Sequence, residues 1–285
     1  MMRPVGLGPM HEAYPGRVID VGIAEAEAVA SAAGMAYKGA HPVVALYATF
    51  LNRGFDQLLM DVALHRAGVT FVLDRAGVTG ADGASHNGVW DIAMCSIIPG
   101  LRLAAPRDEE TLRARLREAL DVDDAPTVIR YRKGALPEPM PALRSVGGVD
   151  ILFDEAVDGS SARVLIVGTG ACAPDAIEAA RRLSAGGVSV TVADPQWMIP
   201  VCPGLAALAR DYDCVVSVED GIVQGGFGWS LRDAVAEAGV PVRCLGVPQL
   251  FPEHGDRSEM IAQFGFDADG IERAVRELVE RVGKR

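Results

Sequence analysis

Short apolar runs rich in β-branched residues alternate along this chain with longer segments of helical period. This alternation restricts the fold more than any other feature, because strands that alternate with helices form parallel sheets covered by those helices. In the first half the pattern predicts strands at 17–20, 41–49, 69–74, 101–104 and 127–131 and helices at 24–37, 52–67 and 108–120. We therefore expect an α/β fold with a parallel sheet.

A second series of strands and helices follows in the last half of the chain. It predicts strands at 163–167, 188–193, 214–218 and 240–245 and helices at 174–183, 204–210, 229–238 and 271–282. Residues 133–148 contain three prolines and three glycines with little periodicity, the composition of an extended linker. The length of 285 residues exceeds a typical domain of roughly 100 to 200 residues. We expect two α/β domains, at 1–135 and 161–285, with a linker at 136–160.

The overall charge and composition restrict the possible partners. A net charge of -11 argues against nucleic acid, because a phosphate backbone is repelled by a strongly acidic surface. No stretch reaches the roughly 18 uninterrupted apolar residues of a membrane span, and the first residues lack the apolar run of a signal peptide. The five cysteines form no Cys-x-x-Cys pair, which fits reduced thiols. These features predict a cytoplasmic protein that binds neither nucleic acid nor membranes.

The turn Val167-Gly-Thr-Gly170 follows a predicted strand and precedes a predicted helix. With Ala173 at the third glycine position and Asp194 further along, it partly matches a dinucleotide-binding fingerprint. A tight strand-to-helix turn in a parallel sheet explains the same residues. We favour this second interpretation, because the full Gly-x-Gly-x-x-Gly pattern is absent.

Charged residues cluster at the predicted carboxyl ends of strands in the first half. Arg75, Asp82 and His86 lie in the Gly-rich loop 75–88, and Lys133 follows a later strand. Because ligands of open α/β sheets bind outside the carboxyl ends of the strands, these side chains could converge on an anion. A surface cluster of salt bridges with a loop histidine explains the spacing equally well. The spacing alone leaves both alternatives open.

Two acidic residues, Glu25 and Glu27, lie at the start of an otherwise apolar predicted helix. Acidic residues are common in a first helical turn because they complement the helix dipole. The spacing by itself requires no further role for them.

Four segments of the first half resemble the 1-deoxy-D-xylulose-5-phosphate synthases in order and spacing. They are Asp20-Val-Gly-Ile-Ala-Glu25, Tyr47-Ala-Thr-Phe-Leu-Asn-Arg53, the loop from Asp74 to Gly88, and Arg130-Tyr-Arg-Lys-Gly134. The likeness continues in the second half at Asp194-Pro-Gln-Trp197 and Val218-Glu-Asp-Gly221. It implies a thiamine-diphosphate pyrimidine-binding domain with a parallel sheet, followed by a transketolase C-terminal-like α/β domain.

The same resemblance implies thiamine diphosphate as cofactor and the condensation of pyruvate with D-glyceraldehyde 3-phosphate with loss of carbon dioxide. That family carries a further, diphosphate-binding domain whose motif begins with Gly-Asp-Gly, and this tripeptide does not occur here. We expect the cofactor to be shared with a separate Gly-Asp-Gly subunit that holds Mg²⁺. By analogy with two-chain relatives, we expect a homodimer of the lone chain and a heterotetramer with the partner.

On the positions that match the family, the resemblance implies roles for individual cofactor contacts. Glu25 would be catalytic and would hydrogen-bond a ring nitrogen of the aminopyrimidine. Phe50 would stack on that ring, as an aromatic face does well, and Ile23 would also contact the cofactor.

The resemblance also implies a binding site for the acceptor aldehyde. Its residues, which include a catalytic histidine, would be Tyr47, Arg53, Arg75, Asp82, His86 and Lys133. Arg75 and Lys133 would hold the phosphate by charge-assisted hydrogen bonds. Asp82 and His86 would meet groups nearer the reacting carbons.

Several positions depart from the family pattern. The usual Gln-His after the catalytic glutamate, and a usual serine, arginine and lysine, are replaced by Ala26-Glu27, Ala48, Lys133 and Ile199. Two other hypotheses therefore stay open. One is a subunit of a two-chain transketolase or of a 2-oxo-acid dehydrogenase-like enzyme, and the other is a non-catalytic assembly or regulatory paralogue. The retained charges of the acceptor site favour the synthase.

Overall fold

The first half of the chain is built on a four-stranded sheet in a computed structural model that describes residues 2–283. Its strands are β1 (Val43–Tyr47), β2 (Thr70–Asp74), β3 (Arg102–Ala104) and β4 (Thr127–Arg130). They lie in the order β1-β2-β4-β3, and every pair is parallel. Each strand falls inside a segment predicted as a strand, which confirms the parallel α/β sheet.

Helices surround this sheet. They are α1 (Gly8–Ala13), α2 (Glu25–Ala36), α3 (Phe55–Gln57), α4 (Asp91–Ser96) and α5 (Glu109–Leu120). The predicted helix at 52–67 is instead irregular, since a 3-10 segment (Ala48–Gly54) precedes α3 and a π-helical turn (Leu58–Ala63) follows it. This irregular winding begins directly after β1, so Phe50 and Arg53 lie at the carboxyl end of that strand.

The predicted strand at 17–20 is wrong. Pro15–Arg17 forms a 3-10 turn, and the residues between it and α2 are irregular. The carboxylate of Asp20 accepts a hydrogen bond from the N–H of Gly22 at 2.9 Å, and Gly22 has a φ of +73°. These two features turn the chain toward α2 where an extended strand was expected.

The second half is built on a six-stranded mixed sheet. Its strands are β5 (Arg144–Val146), β6 (Val149–Glu155), β7 (Arg163–Gly168), β8 (Ser189–Pro195), β9 (Cys214–Ile222) and β10 (Val242–Val247), in the order β10-β9-β7-β8-β6-β5. Its helices are α6 (Ala173–Ala185), α7 (Pro203–Ala209), α8 (Phe227–Ala234), α9 (Arg257–Phe264) and α10 (Ala268–Val282). The helix α9 lies outside the predicted helices.

The linker predicted at 136–160 is wrong in part, because it contains β5 and β6. The strand β6 pairs antiparallel with β8, and its Val149 and Ile151 are fully buried. The prolines and glycines that precede β6 hide this short buried run from an argument based on composition. The domain limits at 1–135 and 161–285 stay predictions.

The two halves share one apolar core. Leu103 of β3, Ile151 of β6 and Val167 of β7 belong to the same cluster of buried side chains. The N–H of Leu103 also donates a hydrogen bond to the carbonyl of Ile199 at 2.9 Å. The second half therefore packs directly against the first sheet. No helix within residues 2–283 is long and apolar enough to cross a membrane.

A buried arginine links the two halves electrostatically. Arg107 Nη1 lies 2.8 Å from Asp150 Oδ2 and 3.1 Å from Asp194 Oδ2. Burial raises the pKa of Asp194 to about 7, although the charge of Arg107 and a hydrogen bond from the N–H of Gly170 act in the opposite direction. The side chain of Arg107 thus pairs with carboxyl groups of both β6 and β8 from the neighbouring domain.

Candidate active site

Glu25, Phe50 and Arg53 meet at the carboxyl edge of the first sheet. Glu25 is the first residue of α2 and is only 6% exposed. Arg53 Nη1 lies 3.6 Å from Glu25 Oε2, and the guanidinium carbon of Arg53 lies 4.6 Å from the centre of the Phe50 ring. A buried carboxylate and an aromatic face therefore share one cationic neighbour.

A glycine permits this close arrangement. A Cβ added to Gly54 would lie 2.8 Å from Val29 Cγ2 and 3.3 Å from the carbonyl oxygen of Glu25. Only a residue without a side chain lets the end of the 3-10 segment approach the first turn of α2 this closely. The position of Arg53 beside Glu25 thus follows from local packing.

Aromatic rings extend the site away from Glu25. The rings of Tyr47 and Phe50 are stacked, with centres 5.9 Å apart and planes 14° apart, and the His86 ring meets Phe50 edge-on at 5.5 Å. The guanidinium carbon of Arg75 lies 4.1 Å from the centre of the Tyr47 ring. The structure thus brings together four of the residues that the resemblance places in the acceptor site or against the cofactor.

Lys133 and Asp82 form an ion pair at the outer side of this group. Lys133 Nζ lies 2.8 Å from Asp82 Oδ1 and 2.9 Å from Asp82 Oδ2, and the hydrogen bond from Lys133 lowers the pKa of the Asp82 carboxyl. The charges of Arg75 and His86 act on Asp82 in the same direction. The four charged or titratable side chains therefore lie near one another with one ion pair among them, an arrangement that fits both an anion site and a cluster of salt bridges.

Ile23, the third predicted cofactor contact, is 74% exposed. It lies between Gly22, which turns the chain, and the start of α2. The described residues leave Ile23 on an open face beside Glu25.

The backbone of Arg75 has an unusual conformation. Its φ is +57°, and its N–H donates a hydrogen bond to Asp74 Oδ1 at 2.7 Å. Burial raises the pKa of Asp74, while that hydrogen bond and the charge of Arg75 act against the rise. The strained turn directs the chain from β2 into the loop 75–88 and places the guanidinium over Tyr47.

Asn87 organises the loop 75–88, and the sequence argument gave it no role. Its Oδ1 accepts hydrogen bonds from the N–H groups of Thr79 at 2.8 Å and Gly80 at 3.3 Å, and its Nδ2 donates to the carbonyl of Gly83 at 3.1 Å. The residue is fully buried. A side chain that both donates and accepts, inside a Gly-rich loop, was the signal that could have found it.

The turn Val167–Gly170 packs against the first domain. The N–H of Gly170 donates to Asp194 Oδ1 at 3.2 Å, and a Cβ on Gly170 would lie 2.6 Å from the carbonyl oxygen of Ala105. Arg107 occupies the other oxygen of Asp194. Gly170 thus packs closely on the first domain and Asp194 is engaged on both oxygens, in agreement with the interpretation as a tight turn. Among residues 2–283, no cluster of three or more His, Cys, Asp or Glu side chains is arranged to bind a metal ion.

Comparison with known families assigns both halves of the chain. Residues 3–139 match the transketolase pyrimidine-binding domain, and residues 156–271 match the transketolase C-terminal domain. The chain therefore belongs to the transketolase family. Its two α/β sheets agree with this assignment.

Within that family the chain is similar to 1-deoxy-D-xylulose-5-phosphate synthases. It is 52% identical over 287 residues to 1-deoxy-D-xylulose-5-phosphate synthase 2 of Streptomyces avermitilis, covering 100% of this chain and 44% of that protein. It is 53% identical over 283 residues to the corresponding synthase 2 of Kitasatospora griseola, covering 98% of this chain and 45% of that protein. The chain thus spans less than half of the length of these relatives.

A solved structure described as "Split gene transketolase, inactive beta4 tetramer" has a similar fold. The TM-score is 0.81 with 29% sequence identity, and the match covers 94% of this chain and 86% of that chain. The arrangement of pyrimidine-binding and C-terminal domains is therefore shared along almost the whole of both chains.

Proposed function

We propose that this chain is the pyrimidine-binding and C-terminal part of a thiamine-diphosphate-dependent 1-deoxy-D-xylulose-5-phosphate synthase. The reaction would condense pyruvate with D-glyceraldehyde 3-phosphate with loss of carbon dioxide. The observation that carries the proposal is the buried carboxylate of Glu25 beside Phe50, on the same edge as the charged residues of the loop 75–88. Identity of 52% to a synthase along the whole chain supports this choice of reaction.

The residues at this edge fit the pyrimidine half of the cofactor. Glu25 offers a carboxyl group for a ring nitrogen, and Phe50 offers a face for stacking. Arg53 is the residue beside both of them, and its side chain is 54% exposed, so it can swing outward. When bound, thiamine diphosphate supplies the nucleophilic carbon that a 2-oxo acid requires.

The acceptor aldehyde would lie over the charged part of the same edge. Arg75 and Lys133 are cations that can hold a phosphate group, and Lys133 would share its charge with Asp82. His86 lies edge-on to Phe50 and near enough to Asp82 for its charge to act on that carboxyl group. Its imidazole can exchange a proton with a hydroxyl or carbonyl oxygen of the acceptor.

A separate diphosphate-binding domain would complete the site. This sequence lacks a Gly-Asp-Gly motif, and the chain spans 44% of the Streptomyces avermitilis synthase. A divalent cation such as Mg²⁺ needs oxygen ligands in near-octahedral geometry, and we assign these to the partner domain. We propose a homodimer for the lone chain, a heterotetramer with the partner, and a cytoplasmic location.

A two-chain transketolase is the second candidate, and the similarity to a split-gene transketolase favours it. The identity to that protein is 29%, against 52% for the synthase. Donor specificity separates the two candidates, because a transketolase uses a sugar phosphate donor where the synthase uses pyruvate.

Calorimetry tests the proposal directly. We expect the purified chain alone to bind thiamine diphosphate and Mg²⁺ weakly and to release no carbon dioxide from pyruvate. Tight cofactor binding and the release of carbon dioxide from pyruvate should both appear when a Gly-Asp-Gly domain from a synthase is added. Tight cofactor binding with synthase turnover by the lone chain would overturn the need for a partner, and turnover with a ketose phosphate but not pyruvate would overturn the assigned reaction.

A further inference from the structure

The loop 75–88, which carries Arg75, Asp82 and His86, makes its central contacts with the C-terminal domain. The N–H of Val78 donates a hydrogen bond to Asp220 Oδ1 at 2.9 Å, and the carbonyl of Val78 accepts one from Arg257 Nη1. The side chain of Val78 is buried among apolar residues of the second domain. Both backbone polar groups of Val78 are therefore satisfied from another domain.

Asp220 and Arg257 are themselves paired. Arg257 Nη2 lies 2.7 Å from Asp220 Oδ2, and Asp220 is only 2% exposed. The carboxylate, the guanidinium and the backbone of Val78 thus form a closed ring of two hydrogen bonds and one ion pair. We call this ring of Val78, Asp220 and Arg257 the loop clamp. Its two charges neutralise each other, so the clamp can stay buried without an external counter-ion.

The backbone of the loop is shaped to reach the clamp. A Cβ on Gly77 would lie 2.1 Å from Asp220 Oδ2, and one on Gly80 would lie 2.7 Å from the carbonyl oxygen of Gly255. Both glycines have positive φ, +78° and +68°. The loop thus carries glycine on both sides of Val78, where its backbone contacts the second domain most closely.

Asp220 also reaches the strand that precedes Lys133. Its carbonyl oxygen accepts a hydrogen bond from Arg130 Nη2 at 2.8 Å, and Arg130 Nε lies 2.7 Å from Asp91 Oδ2. Arg130 is the last residue of β4. Asp220 therefore contacts both chain segments that supply cations to the acceptor site.

We propose that Asp220 and Arg257 are positioning residues for the phosphorylated acceptor. They touch neither acceptor nor cofactor, and they act by fixing the loop 75–88 relative to the end of β4. The acceptor chemistry in this inference rests on the proposed function, while the clamp itself rests only on the contacts described. The C-terminal domain would therefore set the spacing of Arg75 and Lys133.

Hydrogen exchange of the backbone amides in the purified chain tests the clamp and does not require enzymatic activity. Gly77→Ala should increase exchange of the loop amides by about tenfold or more, because its Cβ displaces the backbone from Asp220. Gly100→Ala is the matched control, since Gly100 has a φ of +77° and no atom within 4 Å of an added Cβ. Equal exchange in the loop of Gly77→Ala and of the unchanged protein would overturn the clamp.

Kinetics of the chain assembled with its diphosphate-binding domain test the positioning role. Arg257→Gln should raise KM for the phosphorylated aldehyde by about tenfold while changing KM for pyruvate less than about twofold. Arg257→Lys keeps the charge beside Asp220 and should recover part of the loss. An equal rise in both Michaelis constants, or a fall in kcat alone, would overturn the positioning role.

The two experiments test the existence of the loop clamp and its positioning role separately. If the assembled, unchanged enzyme shows no synthase turnover, the proposed function fails, and the exchange experiment still decides whether the clamp exists. A second outcome is that turnover is present and that Gly77→Ala increases the hydrogen exchange of the loop. If Arg257→Gln then leaves KM for the acceptor unchanged, the clamp is structural only and the positioning role is wrong.

Discussion

Arg53 Nη1 lies 3.6 Å from Glu25 Oε2, the buried carboxylate at the first position of α2. The same guanidinium lies against the Phe50 ring. Arg53 thus makes, within the chain, both contacts that an aminopyrimidine ring would make with Glu25 and Phe50. In the proposed function, cofactor binding would move Arg53 away from one or both partners, and the half-exposed Arg53 side chain has solvent into which it can move.

Glu25→Gln should lower turnover of the assembled enzyme by about 10² to 10⁴-fold, because an amide cannot share a proton with a ring nitrogen. Cofactor affinity should change much less. Glu27→Gln is the control, since Glu27 lies in the same helical turn and is exposed. Steady-state rates of carbon dioxide release measure both variants. Near-normal turnover in Glu25→Gln would exclude Glu25 as the catalytic acid-base group.

Arg75→Ala should raise KM for D-glyceraldehyde 3-phosphate by about tenfold or more, because a charge-assisted hydrogen bond to phosphate is lost. Lys133→Ala should have a smaller effect, since Lys133 already donates to Asp82. Pyruvate decarboxylation should be largely unchanged in both variants. Unphosphorylated glyceraldehyde is the control acceptor. If both aldehydes lose affinity equally, Arg75 and Lys133 do not form the phosphate site.

Arg107→Ala should lower the free energy of unfolding by about 3 to 5 kcal/mol, because it leaves Asp150 and Asp194 buried without their cation. Arg182→Ala is the control, because Arg182 pairs with Glu178 and Asp269 at the surface and should lose much less. Urea unfolding measures both. Equal losses in the two variants would show that the buried cluster does not stabilise the contact between domains.

The buried carboxyl group of Glu219 should make the stability of the chain depend on pH. Its carboxyl accepts hydrogen bonds from the N–H groups of Phe227 and Gly228, and burial raises its pKa from 4.5 to about 7. Between these values the folded chain binds more protons than the unfolded chain, so stability falls as pH rises from about 4.5 to about 7. Glu219→Gln should reduce this fall, as measured by urea unfolding at pH 5 and pH 8.

Glu237→Gln is the control for this experiment, because Glu237 is exposed. It should keep the pH dependence of the unchanged chain. Asp194 also has a pKa raised to about 7, so part of the fall should remain in Glu219→Gln. An identical pH dependence in Glu219→Gln and the unchanged chain would exclude Glu219 as a source.

The sequence predicted the parts of the fold that depend on local pattern. Buried strands such as β7 contain continuous apolar runs, and amphipathic helices such as α10 show their period clearly. The strand expected at 17–20 failed because Asp20 and Gly22 form a turn that outweighs the apolar residues around them. The strand β6 was missed because its burial depends on pairing with β8, which no local pattern reveals.

In the candidate site, too, local sequence patterns predicted some residues, while contacts between distant segments were not predicted. The resemblance to the synthases found Glu25, Phe50 and the charged loop residues, because they lie in short segments of fixed spacing. It could not find the pairing of Arg53 with Glu25, which depends on a 3-10 segment where a regular helix was expected. Nor could it find Asp220 and Arg257, because their contacts with Val78 join residues far apart in sequence.

The antiparallel strand β6 determines where this chain could be cut into separate domains. It covers one side of β8 and supplies Asp150 to Arg107, so the segment before residue 161 belongs physically to the second sheet. A fragment cut at that point would leave β8 with an open edge, where unpaired N–H and C=O groups invite pairing with another chain. The separable units of this protein therefore do not meet at residue 161, and any separation of its halves must keep β5 and β6 with the C-terminal part.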